Sequence, residues 1–228
     1  MSAPLSIVIP TLNTADRLGP CLGALAPALT SGLIRELILA DGGSEDAIAE
    51  IADAVGARLI TAEQGRGQQL AAGAEAALGD WLLVLHADCV LPQGWEEMVR
   101  RHIETDPGKA AHFALRLDSR HPMARMTEGW ANLRSRLFAL PYGDQGLLLP
   151  QALYHRVGEY PPIPLMEDVA LIRRIGRRNL RRLPGRMLTS AERYERDGWL
   201  RRGWRNLTTL VLYAAGSDPT RLAERYRR

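Results

Sequence analysis

The chain is short of cysteine, of lysine and of long apolar runs, and each shortage excludes something. Two cysteines in 228 residues, Cys21 and Cys89, cannot build a disulfide framework or a four-cysteine zinc site, so a reducing cytoplasm is the expected setting. No stretch approaches the roughly 18 apolar residues of a membrane-spanning helix. The opening Met1-Ser2-Ala3-Pro4 has no basic residues, so no cleaved leader is predicted. No repeat, low-complexity tract or composition break marks a linker, and one domain over residues 1–228 is expected.

What remains is ordinary globular composition, with 46% apolar and 24% charged residues, enough to bury a large core without staples. The net charge of +3 conceals an asymmetry. Residues 173–228 hold 16 arginines and 5 acids, net +11, whereas residues 1–172 hold 13 basic and 21 acidic residues, net −8. Lys109 is the only lysine. A basic tail suits phosphorylated ligands, an anionic membrane surface or nucleic acid, and equally a solvated helix face. It carries no nucleic-acid recognition motif, so no nucleic-acid partner is expected.

The first 90 residues alternate strand and helix patterns. Leu5 to Ile9 reads as a strand stopped by Pro10, with a helix beginning near a capping Asn13. Glu36–Ala40, Arg58–Thr61 and Trp81–Leu85 are the next strands, with helices over about Glu45–Val55 and from Gly67 to about Leu78. This order predicts an α/β fold built on an open, mostly parallel twisted sheet with helices on both faces, whose ligands sit beyond the carboxyl ends of the strands. The second half is less regular. Phe113–Leu117 and Gly146–Leu149 read as strands, residues 123–139 as a helix, and another helix should follow Glu167-Asp168.

The strand ends carry the polar residues. Asp41, before Gly42-Gly43-Ser44, suits a ribose hydroxyl or base N–H, and equally a turn. Asp88 ends an apolar strand, where a carboxylate calls for a partner; a divalent cation is one and a turn cap another. Arg66, between two glycines ahead of a helix, suits a diphosphate or a solvated loop. Glu167 and Asp168 open a helix after a proline-stiffened loop, which fits a helix cap or a general base.

The run Ser6 to Asn13, then Ala40 to Asp46, then His86-Ala87-Asp88 and Glu167-Asp168 together resembles a family 2 glycosyltransferase of the GT-A fold. Within that family the Leu-His-Ala-Asp run, Tyr142 to Gly146 and Met166-Glu167-Asp168 are similar to the group named after its radical-SAM and selenodomain neighbours. The resemblance spans residues 5 to about 225. It implies a Rossmann-like nucleotide-sugar half at 1–90, an acceptor half at 91–172 and a basic helical C-terminal region at 173–228.

The resemblance implies an inverting sugar transfer of the hexosyltransferase class from a nucleoside-diphosphate sugar, UDP-sugar favoured, to a hydroxyl-bearing acceptor. Pro10, Thr11, Asn13, Asp41, Arg66, Ala87 and Asp88 would bind the donor. Asp88, with His86, would hold a Mn2+ or Mg2+ ion. Asp168 would be the base with Glu167 beside it, and Gly143, Asp144 and Gln145 would line the acceptor side. The acceptor class stays open among a small molecule, a lipid phosphate and a peptide.

Two positions depart from the family pattern. Gly42 stands where a second donor-side acid is common, and His86 replaces the first carboxylate of the metal motif. A non-catalytic nucleotide-sugar-binding or scaffold protein of the same descent is therefore the alternative. A nucleotidyltransferase fits less well, because Pro10 to Asn13 is no glycine-rich loop. Residues 199–215, rich in arginine, tryptophan and leucine, suit peripheral attachment to the inner face of an anionic membrane, or packing on the core.

Overall fold

The computed structural model describes residues 3–227; Met1 and Ser2, part of the segment read for a leader, lie outside them. The apolar runs of the first half have no polar face to show to water, so they become interior strands. β1 (Leu5–Thr11) lies between β2 (Ile34–Asp41) and β4 (Trp81–Val84), and β3 (Arg58–Thr61) pairs with β2, all in parallel. Helices α1 (Ala15–Leu29), α2 (Ile48–Val55) and α3 (Arg66–Glu75) make the connections.

The second half reverses the sheet direction and then restores it. β5 (Cys89–Val90), α4 (Trp95–Thr105), β6 (Ala110–Asp118) and α5 (Pro122–Phe138) are followed by a 3-10 turn at Gly143–Gln145 and β7 (Leu147–Pro150). Then come α6 (Gln151–Arg156), α7 (Glu167–Ile175), β8 (Leu180–Ser190), α8 (Glu192–Asp197), α9 (Trp199–Ala214) and α10 (Pro219–Arg227). β7 is antiparallel to both β4 and β6, β8 runs parallel to β6, and β5 is antiparallel to β8. The order across the sheet is β3-β2-β1-β4-β7-β6-β8-β5, a mixed sheet whose first half is wholly parallel.

Side-chain alternation divides the core between the two faces. Leu5, Ile7 and Ile9 of β1 with Trp81 and Leu83 of β4 face Leu18, Cys21 and Leu25 of α1 and Val99 of α4. Val8, Leu82 and Val84 face Leu70 and Ala74 of α3 and Leu171 and Ile172 of α7. A third cluster joins Leu115 and Leu117 of β6 to Ala124 and Ala131 of α5, with Tyr194 and Trp199 against it.

Three local expectations need correction. β1 does not stop at Pro10 but pairs on through Thr11. Its pairing with β4 ends at Val8, so a residue without an N–H is tolerated there. Asn13 does not cap α1, whose first amide at Ala15 instead donates to Asp46 Oδ2 (2.8 Å). Residues 173–228 are not simply helical, because β8 threads the sheet within them. Leu180, Leu183, Met187 and Thr189 are buried, while Leu183-Pro184-Gly185 falls where its register with β6 shifts, a bulge that admits proline and glycine.

Candidate active site

The ends of β1, β2 and β4 open onto one cleft, and the residues there divide into those on its wall and those off it. Pro10, Thr11, Arg66, His86, Ala87 and Asp88 line a donor-side cavity of about 390 Å³, together with Leu12, Thr14, Arg17, Gln64, Gln69, Pro164 and Arg193. Asn13 and Asp41, expected on that wall, are not among its lining residues; Asp41 is buried and Asn13 is exposed to solvent. The Asp41 carboxylate accepts from Thr11 Oγ1 (3.0 Å), from the Gly43 and Ser44 amides (2.9 and 2.8 Å) and from the Ser44 hydroxyl. Burial pushes its pKa up, but the Ser44 hydroxyl and amide, with Thr11 and Gly43, outweigh this and hold it below the usual carboxylate range. Asn13, at φ 49°, accepts from the Glu45 amide (2.9 Å), and its own amide donates to Ser44 Oγ (2.9 Å). Both residues set the shape of the 41–45 turn.

The glycine at 42 has a steric cause. A Cβ there would lie 3.0 Å from the Gln69 side chain. The Gln69 amide occupies that space, donating to the carbonyls of Thr11 (2.6 Å) and Ala40 (3.0 Å). An amide from α3 thus fills the position where the family pattern often has a second acid.

His86 and Asp88, just past β4, bring ligand atoms within 4.8 Å of each other and of Cys89 Sγ. Burial, then the Arg66 and Arg193 guanidinium groups, hold the His86 pKa well below its ordinary value, so the ring is a neutral donor atom. Asp88 has no hydrogen-bond or ion-pair partner among the described residues. Cys89 differs: it is fully buried, its Sγ lies 3.3 Å from Thr189 Oγ1, and burial raises its pKa well above the usual range. The pair His86 and Asp88 therefore fits a divalent ion that takes its other ligands from diphosphate and water, and a protonated Cys89 thiol does not add to it.

The opposite wall comes from the second half. Asp168 Oδ2 accepts from the Gly143 amide at 2.8 Å, and Oδ1 from the Val169 amide at 2.7 Å. Gly143 also meets the metal side, since a Cβ on it would overlap His86 Nε2. Asp168, Glu167, Gly143, Asp144, His86, Asp88 and Arg66 all line one central cleft.

Glu167 is 1% exposed, and its carboxylate lies 3.3 Å from Arg66 Nε without the alignment of a hydrogen bond. Burial raises its pKa to about 7 and Asp168 adds to this, while Arg66 opposes both. Asp144 is pushed up to about 6, again chiefly by burial, with Arg134 opposing and Asp168 and Asp88 adding. The cleft thus contains carboxyl groups poised to hold protons near neutrality.

Gln145 is not on the acceptor wall. It is fully buried, donating to the Phe113 carbonyl (3.0 Å) and accepting from Ser135 Oγ (2.7 Å). It braces the 143–145 turn instead.

The C-terminal elements supply wall residues that sequence reasoning missed. Arg193 and Tyr194 of α8, Arg202 and Asn206 of α9 and Tyr226 of α10 line the cleft, as does Tyr142. The Arg134 guanidinium stacks 3.4 Å from the Tyr142 ring centroid. For Tyr142 a signal existed, since it adjoins Gly143-Asp144. For Arg193, Arg202 and Tyr226 the only signal was the arginine-rich composition.

Residues 6–155 match the model of a family described as glycosyl transferase family 2. A PGL/p-HBAD biosynthesis glycosyltransferase from Mycobacterium bovis is 42% identical over 96 residues, which cover 39% of this chain and 37% of that protein. The chain thus spans little more than a third of that relative's length. Among solved structures, glucosyl-3-phosphoglycerate synthase from Mycobacterium tuberculosis, in complex with Mn2+, UDP and glucosyl-3-phosphoglycerate, superposes with a TM-score of 0.58. It is 20% identical, and the match covers 82% of this chain and 70% of that one. TarS 1–349 from S. aureus gives a TM-score of 0.66 at 13% identity, covering 96% and 68% of the two chains. At these identities the likeness is one of fold, the GT-A arrangement.

Proposed function

The chain belongs to glycosyl transferase family 2, and from that premise we propose that it moves a hexose from a UDP-sugar to an acceptor hydroxyl with inversion, Asp168 acting as general base. One observation carries this: Gly143 packs against His86 on the metal side and donates to Asp168 on the other. Groups suited to the leaving diphosphate and to the incoming hydroxyl therefore face each other across one cleft.

The donor would enter between Pro10-Thr11 and Arg66, with Gln69 beside Thr11. His86 and Asp88 would hold Mn2+ or Mg2+, which supplies positive charge for the departing diphosphate. Arg66 also supports that charge, since the buried Glu167 beside it keeps its guanidinium firmly protonated. Asp168, held by two amides, keeps a fixed orientation and takes the proton from the acceptor hydroxyl as it attacks the anomeric carbon through an oxocarbenium-like state. Glu167 positions Arg66, and its own proton equilibrium tunes the local charge.

The test is nucleotide binding by thermal shift or calorimetry, with UDP and GDP, each with and without Mn2+. UDP should stabilise the protein in a Mn2+-dependent way, and Asp88→Ala should remove that dependence. A folded protein indifferent to every nucleotide would instead favour a non-catalytic scaffold.

A second reading concerns location, and we infer peripheral docking on an anionic membrane. No helix among the described residues is long and apolar enough to cross a membrane. However, α9 leaves Leu200, Trp204 and Val211 on one exposed face, and α5, packed beside it, exposes Met126, Trp130, Leu133 and Leu137 at helical spacing. Exposed Arg136 and Arg201 border these stripes, the combination that suits an anionic interface.

A further inference from the structure

Beyond the donor-side cavity and the central cleft lies a third cavity, to which the transfer as described above assigns no role. It is lined by Arg17, Arg193, Arg196, Arg201, Arg202 and Arg205, with Asp197 and Tyr226. One carboxylate serves this group of arginines from within the groove. Asp197 pairs with both Arg196 (2.9 Å) and Arg202 (3.1 Å). Arg17 pairs with Glu192 and Asp16, neither of which lines the groove. Arg193 and Arg201 have no ion-pair or hydrogen-bond partner among the described residues.

The groove is also built rather than merely charged. Arg202 is 7% exposed and its Nη2 donates to the Tyr226 hydroxyl at 2.7 Å. That hydroxyl in turn donates to Asn206 Oδ1 at 2.8 Å, and the Arg205 Nη1 donates to the Tyr226 carbonyl at 3.3 Å. The Tyr226 ring lies 4.9 Å from the Arg202 guanidinium carbon and 6.0 Å from that of Arg205. Holding like charges together in this way costs stability unless an anion offsets it. Burial and the neighbouring Arg66 and Arg202 lower the Arg193 pKa, which expresses the same cost, with Asp88 partly opposing it.

Position decides which anion. Arg193, Arg202 and Tyr226 line both the groove and the central cleft beside Asp168. Arg196, Arg201 and Arg205 line the groove but neither the donor-side cavity nor the central cleft. We propose that this groove is the acceptor subsite for a phosphate monoester, so that the sugar acceptor is a phosphorylated alcohol whose free hydroxyl reaches Asp168. The proposal rests on the glycosyltransferase reading for the word acceptor, while the anion site stands on the arginines. Planar guanidinium forks match phosphate oxygens in pairs, which a cluster of lysines would not do.

The experiment is calorimetric titration of inorganic phosphate into the full chain saturated with UDP and Mn2+, for the parent and for the double variant Arg196→Gln/Arg201→Gln. Both side chains are exposed, so the variant should fold and melt like the parent. Phosphate should bind alongside UDP, and the variant should bind it about tenfold or more weakly while its UDP affinity changes less than about twofold. Phosphate that only competes with UDP, or phosphate affinity unchanged in the variant, overturns the proposal. If UDP fails to bind the parent but phosphate binds and is lost in the variant, the donor reading falls and the anion site survives.

A second arm separates the sources of the phosphate, using phosphatidylcholine vesicles with and without phosphatidic acid. Binding that requires phosphatidic acid and is displaced by inorganic phosphate supports a lipid acceptor. Phosphate binding to the protein without such vesicle binding supports a soluble one.

Discussion

Gly143 is the residue on which the two sides of the cleft meet, and no other side chain fits there without displacing His86. Its amide also holds Asp168, so the proposed base keeps one orientation. Asp168→Asn keeps the size and one acceptor oxygen but cannot take a proton. Turnover should fall by at least about 10²-fold, with UDP binding unchanged, in steady-state and binding assays run on the same preparation. An equal loss of UDP affinity would instead make Asp168 a donor ligand.

At this scale the sequence singled out His86, Asp88, Glu167 and Asp168 as candidates, because each stands at the end of a strand or the start of a helix with a recognisable neighbour, and the fold brings the four to one cleft. It did not display the backbone and side-chain partners that hold Asp41 and Gln145, or the contacts by which Asn13 joins the 41–45 turn. It could not see Gln69 filling the space over Gly42, since that contact joins α3 to the end of β2.

Among the elements, β1, β2 and β4 were legible because strands buried inside a parallel sheet read as apolar runs, whereas β3 is a short exposed edge strand. β8 was hidden: its buried positions are Leu180, Leu183, Met187 and Thr189, interrupted by arginines and by a Pro-Gly pair that elsewhere signals a turn. α4 and α6 were also passed over, the first with Trp95 and Val99 inward among charged neighbours. α5 and α9 illustrate the reverse problem, since periodicity announces an amphipathic helix without saying what lies against its apolar side. Here part of that side faces outward. Trp204→Glu on α9 should abolish co-sedimentation with anionic liposomes while changing folding stability by no more than about 0.5 kcal/mol, as for other exposed sites. Persistent sedimentation of the variant, insensitive to salt, would remove the membrane reading.

For the molecule as a whole, the charge asymmetry read from composition becomes spatial: acids converge on the central cleft and arginines on the groove beside it. Such a site should make stability depend on pH. Burial raises the Glu167 pKa to about 7 from 4.5 ordinarily, so the folded state holds its proton more tightly than the unfolded one. Its contribution is complete below about pH 4.5 and is lost as pH rises through about 7. Glu167→Gln removes that titration. Relative to the parent, the variant should therefore gain stability steadily as pH rises from 5 to 8, measured by denaturant melts across that range. A constant offset between the two proteins would show that Glu167 stays ionised throughout.

His86 follows β4 and Gly143 precedes β7, and these strands are hydrogen-bonded neighbours, Val84 opposite Leu147. The two chemical walls of the cleft are thus riveted to adjacent rails of one sheet, and they cannot part without tearing backbone hydrogen bonds. Whatever yields when a product departs must belong to the side not so fastened, where α8, α9 and α10 carry Arg193, Arg202 and Tyr226. If the proposed transfer takes place here, its product would leave past the C-terminal helices α8, α9 and α10 rather than through a parting of the sheet.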